Sequence, residues 1–351
     1  FNAVLGVIMS LFLSLGAGTI LSGVGVADAL MQPAKTYLQI VGGFCILNAL
    51  IPICSSYLRA FGFSKEPLYA SIIGNVINFC LNAFFLFVLH KGVAGVATAT
   101  VISRIINLVI VVLLGAVLVK AKQHPERESN RAVMGQIIRI GLPSACETAI
   151  YNVSMTLVIR FLNQMDAQGL NVTARSYTMQ ITNFSYCVGA ALAQANAIMT
   201  GWHIGAKEYD ACDRGTKKAA VIGVIVAVIL ETVFTLCSGW IMQLFSKDPQ
   251  MVSLVGKLLA IDIVLEIGRV TNLVYGQALK TSGDAVFPVV MGACFMILCS
   301  VGGTYLFGIR LGLLAVGAYI GMTGDECVRA VGMYLRWKSG KWKEKGLVKS
   351  R

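Results

Sequence analysis

The chain has 351 residues, of which 56% are hydrophobic and 13% charged. Soluble domains carry about 25% charged residues, so this composition and a mean hydropathy of +0.74 exclude a water-soluble globular protein and a disordered one. The net charge of +12 would suit a nucleic-acid partner, but the basic residues are distributed as loops of a membrane protein distribute them, and no nucleic acid is expected.

Apolar spans, each near the roughly 20 residues a bilayer needs, are drawn at 1–21, 37–58, 68–89, 94–119, 137–162, 173–202, 219–244, 252–276, 285–307 and 313–335. The predicted fold class is all-α: a polytopic membrane protein with about ten helices. In the first half, Pro52 is expected to kink its helix, and Pro67, like Pro288 later, to open one. Asn75, Asn78 and Asn82 share a stripe on the third span, read as interhelical hydrogen bonding. Arg104 is the one charge within the spans of this half.

The polar stretch 121–135, with Pro125, reads as a solvated linker between two halves. Ile140-Gly141-Leu142-Pro143 then reads as a helix start with proline in its first turn. Glu147, Tyr151 and Ser154 follow on one stripe, and Glu147 divides evenly between ion coupling and capping that start. On 173–202, Gln180, Asn183 and Gln194 fall within an arc of about 60°, and a polar arc on a spanning helix must face protein or water. Glu231 stands alone in mid-span and is read as a structural, hydrogen-bonded acid.

The span 252–276 is the most informative. Asp262, Glu266 and Arg269, at steps of four and three, share one narrow stripe. Charges inside an apolar span cost roughly 2.5 kcal/mol or more each on insertion scales and persist where they face protein or a wet cavity. A salt bridge to Arg269 accounts for one acid, and the second leaves surplus negative charge. Asp325, Glu326 and Arg329 read as a structural ion-paired group.

The chain repeats itself. Leu258 to Pro288 overlies Tyr37 to Pro67 without a gap (258 − 37 = 221), bringing Lys280 onto Arg59 and Gly283 onto Gly62. Further on, Gly92-Val93-Ala94-Gly95 is aligned with Gly312-Leu313-Leu314-Ala315 after a one-residue slip. Tandem duplication of a helical unit marks many transporter folds. The second repeat begins near Gln136, and 136 − 221 = −85. The start of the first is therefore expected ~85 residues upstream, room for two more helices.

The basic residues fall on two sides. One side holds Arg59, Lys65, Lys120, Arg127, Arg139, Lys207, Arg214, Lys217, Lys280 and the run from Arg336 to Arg351; the other holds only Lys35, Lys91, Arg175, Lys247 and Arg310. The rich side, with the C-terminus, is expected to be cytoplasmic. Nine of the ten cysteines lie in apolar spans without metal or disulfide spacing. Neither H-E-x-x-H, G-x-S-x-G nor G-x-x-x-x-G-K-[ST] is present, so no enzyme, catalytic residue or metal centre is expected.

These features together resemble the multidrug and toxic compound extrusion (MATE) transporters of the multidrug/oligosaccharidyl-lipid/polysaccharide exporter superfamily. The residues carrying the resemblance are the duplicated LRAFGFSKEP and LKTSGDAVFP loops, Gly141-Leu142-Pro143, Gln194 followed by IGAKEYDACDRGTKKA, and GVAGVATATVISR. It covers nearly the whole chain apart from the family's first two helices. The resemblance implies two pseudo-symmetric six-helix lobes forming a V around a central cavity, with residues 1–120 in the N-lobe, 121–135 the linker, 136–338 the C-lobe and 339–351 a basic tail. It implies a monomer, in the plasma (inner) membrane, that exports organic, often cationic, compounds by rocking between two faces in exchange for Na⁺ or H⁺. The same superfamily offers a flippase of lipid-linked oligosaccharides as the alternative. The family's sodium-coupled branch places acids on helices seven and ten; here those helices carry Glu147, Asp262 and Glu266, with Arg269 beside them. Tyr151, Met155, Tyr177, Gln180, Asn183 and Phe184 are the candidates for lining a substrate cavity, since aromatic faces attract organic cations and methionine adapts to varied shapes.

Overall fold

The computed structural model describes residues 2–24, 28–119, 130–166 and 169–345, and these are helical with short turns between. The chain divides into two compact units, Phe1–Pro125 and Glu126–Arg351. Most of the expected linker and the end of the expected basic tail lie outside the described residues.

In the first unit, α1 (Asn2–Leu15) and α2 (Ala17–Val24) form one interrupted rod, followed by α3 (Asp28–Gly43), α4 (Ile46–Ala60), α5 (Lys65–Ala83) and α6 (Gly92–Leu118). The break between α3 and α4, a bend of 41°, comes just after Gly42-Gly43, whereas α4 runs on through Pro52. The expected kink therefore sits at a glycine pair. There Gly6 of α1 approaches so closely that a Cβ would lie 2.9 Å from the Ile46 Cα, and Ser10 Oγ accepts the Ile46 N–H at 3.0 Å. The asparagine stripe meets its expectation at one position: Asn78 donates to Ser103 Oγ of α6 at 3.2 Å, whereas Asn82 bonds Asn78 Oδ1 at 3.0 Å within α5 itself.

In the second unit come α7 (Asn130–Met165), α8 (Leu170–Gly205), α9 (Tyr209–Leu236), the short α10 (Ser238–Met242), α11 (Pro249–Thr281), α12 (Val286–Phe295) and α13 (Leu314–Lys338). The hub is α11, packed against α8, α9 and α13. Its start follows local chemistry: Asp248 accepts the Gln250 N–H at 3.0 Å and Pro249 occupies the first turn. Leu258, Leu259 and Leu265 anchor one apolar cluster, and Val270, Val274, Ala278 and Leu279 another. Pro67 and Pro288 lie in the first turns of α5 and α12, as expected. Pro143 does not: α7 begins at Asn130 and carries this proline inside it. Glu147 is therefore far from any helix start, which removes capping as its role.

Each of the ten expected spans falls on a helical rod, but by length and apolarity alone only four of the described helices could cross a membrane, or five with the bent α3–α4 pair. α7, α8, α11 and α13 are long enough yet more polar. Outward-facing apolar side chains such as Phe79, 75% exposed, and Leu236, 80% exposed, suit a lipid surround.

The duplication is written into the backbone. Gly62 and Gly283 close α4 and α11 in the left-handed region at φ 90° and 92°. The flanking bonds also match: Phe63 N–H to Leu58 O at 3.0 Å and Asp284 N–H to Leu279 O at 2.9 Å, the 6→1 bond of a Schellman cap. Farther along, the register differs from the expected one. His90 (φ 49°) corresponds to Gly312 (φ 69°), and Gly92 (φ 52°) to Leu314 (φ 53°), an offset of 222 (312 − 90). Gly95 and Gly317 then coincide, each packed against the preceding rod, at Phe85 and Phe307. The slip adds one residue to the second copy, so Gly92-Val93-Ala94-Gly95 matches Leu314-Ala315-Val316-Gly317. A π-helical stretch, Met296–Val301, follows α12 where α5 is still α-helical. A one-residue insertion in a helix produces this kind of bulge. A second π stretch, Thr304–Arg310, has its counterpart in Phe84–Val88 after α5.

Beyond α13, residues 341–345 of the expected basic tail form a 3-10 turn. Trp342 is buried there, stacked on Trp337 with ring centroids 4.2 Å apart, and Trp337 Nε1 donates to Asp213 Oδ1 at 2.9 Å.

Candidate functional site: a charged cavity on α11

The site begins with close helix contacts. Val270 of α11 is gripped by Gly189 of α8 and Gly223 of α9; a Cβ on either glycine would fall 2.8 or 2.7 Å from its methyl groups. On the opposite face Gly268 meets the backbone of α13 at Glu326 and Cys327, with 2.9 Å to both. This squeezes the polar residues of α8, α9 and α13 against those of α11.

Deepest are three carboxylates. Glu231 of α9 and Asp262 and Glu266 of α11 each bring an oxygen within 4.8 Å of the others. Glu231 and Glu266 have no exposed surface, and Asp262 is 2% exposed. Both Glu231 oxygens, Asp262 Oδ2 and Glu266 Oε2 have no hydrogen-bond partner. Glu266 Oε1 pairs with Arg269 Nη1. Their oxygens lie close enough together to offer ligands to one ion, and three close acids beside one arginine suit a hard, oxygen-seeking cation or a proton. The structural role expected for Glu231 needs revision. It makes no hydrogen bond and instead completes the acidic cluster. The cue was present as a lone acid in mid-span, but the register at which α9 packs on α11 is not written in the pattern of either helix.

A charged chain leads outward from this cluster. Arg269 also reaches Glu326 Oε1 at 3.8 Å, Asn272 donates to Glu326 Oε2 at 3.0 Å, and Arg329 bonds Glu326 at 2.9 Å. Arg329 grips both oxygens of Asp325 at 2.8 and 3.0 Å, and Ser300 donates to Asp325 at 2.9 Å. The structural reading of this trio holds, with the addition that it ties α11 to α13. Glu147 is fastened to the basic turn, accepting from Lys280 Nζ at 2.6 Å, and so stands apart from the acids it was grouped with.

Glu147, Asp262, Arg269, Asn272, Lys280, Asp325, Glu326 and Arg329 line a cavity of about 550 Å³ inside the second unit, within the range of ligand pockets, whereas Glu231 and the candidate Glu266 are not part of its wall. It follows α11 from Asp262 to Lys280, about 27 Å at 1.5 Å per residue. Of the sequence candidates, Tyr151, Met155, Asn183, Glu147, Asp262 and Arg269 contribute to its wall. Tyr177, Gln180 and Phe184 do not: Tyr177 packs on Phe245, Phe184 stacks near Phe234 and is 69% exposed, and Gln180 is exposed. Arg175, read as a loop residue, belongs to α8, is 6% exposed and lines the cavity.

The family model for MatE matches residues 1–84 and 143–306. The chain belongs to the MatE family. It is 33% identical over 353 residues to the uncharacterized transporter YisQ of Bacillus subtilis, covering 99% of this chain and 77% of that protein. It is also 22% identical to the probable multidrug resistance protein NorM of Thermotoga maritima, over 97% of this chain and 76% of that one. Among solved structures, a MATE crystal structure in the straight conformation superposes with a TM-score of 0.87 at 19% identity, covering 98% of this chain and 77% of that one. The MATE fold and a multi-pass membrane transporter, as the sequence led us to expect, are thereby established.

Proposed function

We propose that this MATE transporter exports organic compounds in exchange for a cation, and that the cation occupies the Glu231–Asp262–Glu266 cluster. The observation carrying this reading is the set of unpartnered, buried carboxylate oxygens there. Buried charge without a counter-charge is costly, so the cluster favours states in which Na⁺ or H⁺ supplies positive charge. Exchange follows if the substrate-loaded state disfavours that ion, which by linkage couples the two bindings reciprocally. Rocking of the two units would then carry substrate and ion in opposite directions. The relatives include probable multidrug resistance proteins, which supports drug-like cargo. A cytoplasmic C-terminus is the matching arrangement, resting on the basic-residue asymmetry, and a plasma-membrane monomer is the expectation carried over from the family resemblance. A flippase draws less support, because Arg269, Lys280 and Arg329 are each engaged by a carboxylate, which leaves Arg175 as the one cavity base among the described residues without an ion pair, where a diphosphate calls for several.

The test is counterflow of ethidium in proteoliposomes with Na⁺ and pH gradients imposed separately, for the wild type and Glu266→Gln. Efflux driven by one gradient and lost in the variant is expected. Full ion-driven efflux in Glu266→Gln would remove the cluster from the mechanism.

A further inference from the structure

Charge pairing in the cavity is nearly complete. Glu147 is matched by Lys280, Glu266 and Glu326 by Arg269, and Asp325 and Glu326 by Arg329. Two groups on its wall are left over, of opposite sign. One is Asp262, whose Oδ2 has no partner. The other is Arg175. Its Nε is buried without a hydrogen bond, its Nη2 has only the Met155 sulfur at 3.7 Å, and among the described residues no carboxylate stands within ion-pair distance.

A guanidinium that is 94% withdrawn from solvent (100 − 6) and lacks a counter-ion is unfavourable by several kcal/mol. Its planar fork of donors matches a carboxylate or another oxyanion in two-point fashion, which an ammonium cannot do. Met155 touches it, and the wall of the same cavity is soft and aromatic, with Met179, Met322, Tyr151 and Tyr319, suited to an organic body of variable shape.

We infer that Arg175 is an anion-binding subsite for the transported compound, taking a carboxylate or similar oxyanion on an organic amphiphile. In this chain the subsite should favour cargo that carries such a group over otherwise identical cargo that lacks it. A zwitterion is the best complement, since its cationic end has Asp262 in the same cavity. This rests on the exporter reading above.

Rhodamine B and its ethyl ester make a matched pair: the same cationic dye with and without a free carboxylate. Binding to the purified chain is read by fluorescence anisotropy, transport by counterflow. A hydrogen-bonded ion pair is worth about 1.5–3 kcal/mol, so the wild type should bind rhodamine B about 10- to 100-fold more tightly than the ester. Arg175→Met should remove that preference and leave ester binding within about twofold. Arg175→Lys should retain part of it. A merely structural Arg175 would make Arg175→Met less thermostable; a ligand-binding one should leave the dye-free protein as stable or more so, and abolish only the stabilisation by rhodamine B. Equal affinity of the wild type for both dyes, or an equal loss of both in Arg175→Met, overturns the subsite while leaving the exporter standing. Failure of the wild type to bind or carry either dye overturns the exporter reading and this inference with it.

Discussion

Replacing Glu231 with glutamine tests the acidic cluster at the residue that sequence alone did not assign to it. At 4.8 Å between oxygens, and an effective dielectric of about 20, two like charges repel by roughly 3.5 kcal/mol. Glu231 has two such neighbours, Asp262 and Glu266, and one arginine serves all three. Glu231→Gln removes both repulsions without changing volume, so the ion-free protein should gain stability. The cation loses one of three charged ligands, and an equivalent attraction of about 3 kcal/mol is about a hundredfold in Kd. An ion present at 100 times its Kd stabilises by about 2.7 kcal/mol; after a hundredfold weakening the same concentration stabilises by only about 0.4 kcal/mol. Thermal unfolding of the purified protein across Na⁺ concentration, repeated across pH, reads this directly. The expected outcome is a higher baseline with a nearly flat ion dependence, and loss of ion-driven counterflow. An unchanged ion dependence together with undiminished ion-driven exchange would refute the assignment.

Three further outcomes are expected. Lys280→Met strands the Glu147 carboxylate, which is 17% exposed, and should cost about 2 kcal/mol; adding Glu147→Gln should recover most of it, as a double-mutant cycle on unfolding will show. Gly62→Ala and Gly283→Ala should each cost about 1 kcal/mol, and by similar amounts, because both sit at φ near 90° and a Cβ at Gly62 meets nothing within 4 Å; a cost at only one would break the equivalence of the two turns. Burial opposes ionisation of Asp166, yet bonds from Asn171 and the Leu170 N–H hold its carboxyl below the ordinary aspartate range. Asp166→Ala should therefore cost about 1 kcal/mol near neutral pH, as loss of a cap does. Because the folded value is depressed, that contribution is fully present above the ordinary aspartate range and vanishes as pH falls through the depressed value, which unfolding measured against pH will follow.

Much was legible in the chain itself. The apolar spans, the tandem repeat and the charged stripe on α11 follow from local chemistry: runs long enough for a bilayer, turns that require a left-handed residue, and charges too costly to be incidental. Local reading misplaced what depends on neighbours. Pro143 looked like a start because proline is tolerated there, yet α7 continues around it. The register slip took the wrong sign because the added residue is absorbed in a π-helical stretch that no residue pattern marks.

Composition and periodicity determined that this is a duplicated bundle of membrane helices with ionisable groups in its second half. Only tertiary packing decided which charges neutralise one another. Glu147 and Lys280 lie 133 residues apart yet bond, while both Glu231 oxygens and the Arg175 Nε end without a hydrogen-bond partner. Pairing across helices is set by where glycines such as Gly189, Gly223 and Gly268 let backbones approach, a three-dimensional fit that no single helix encodes.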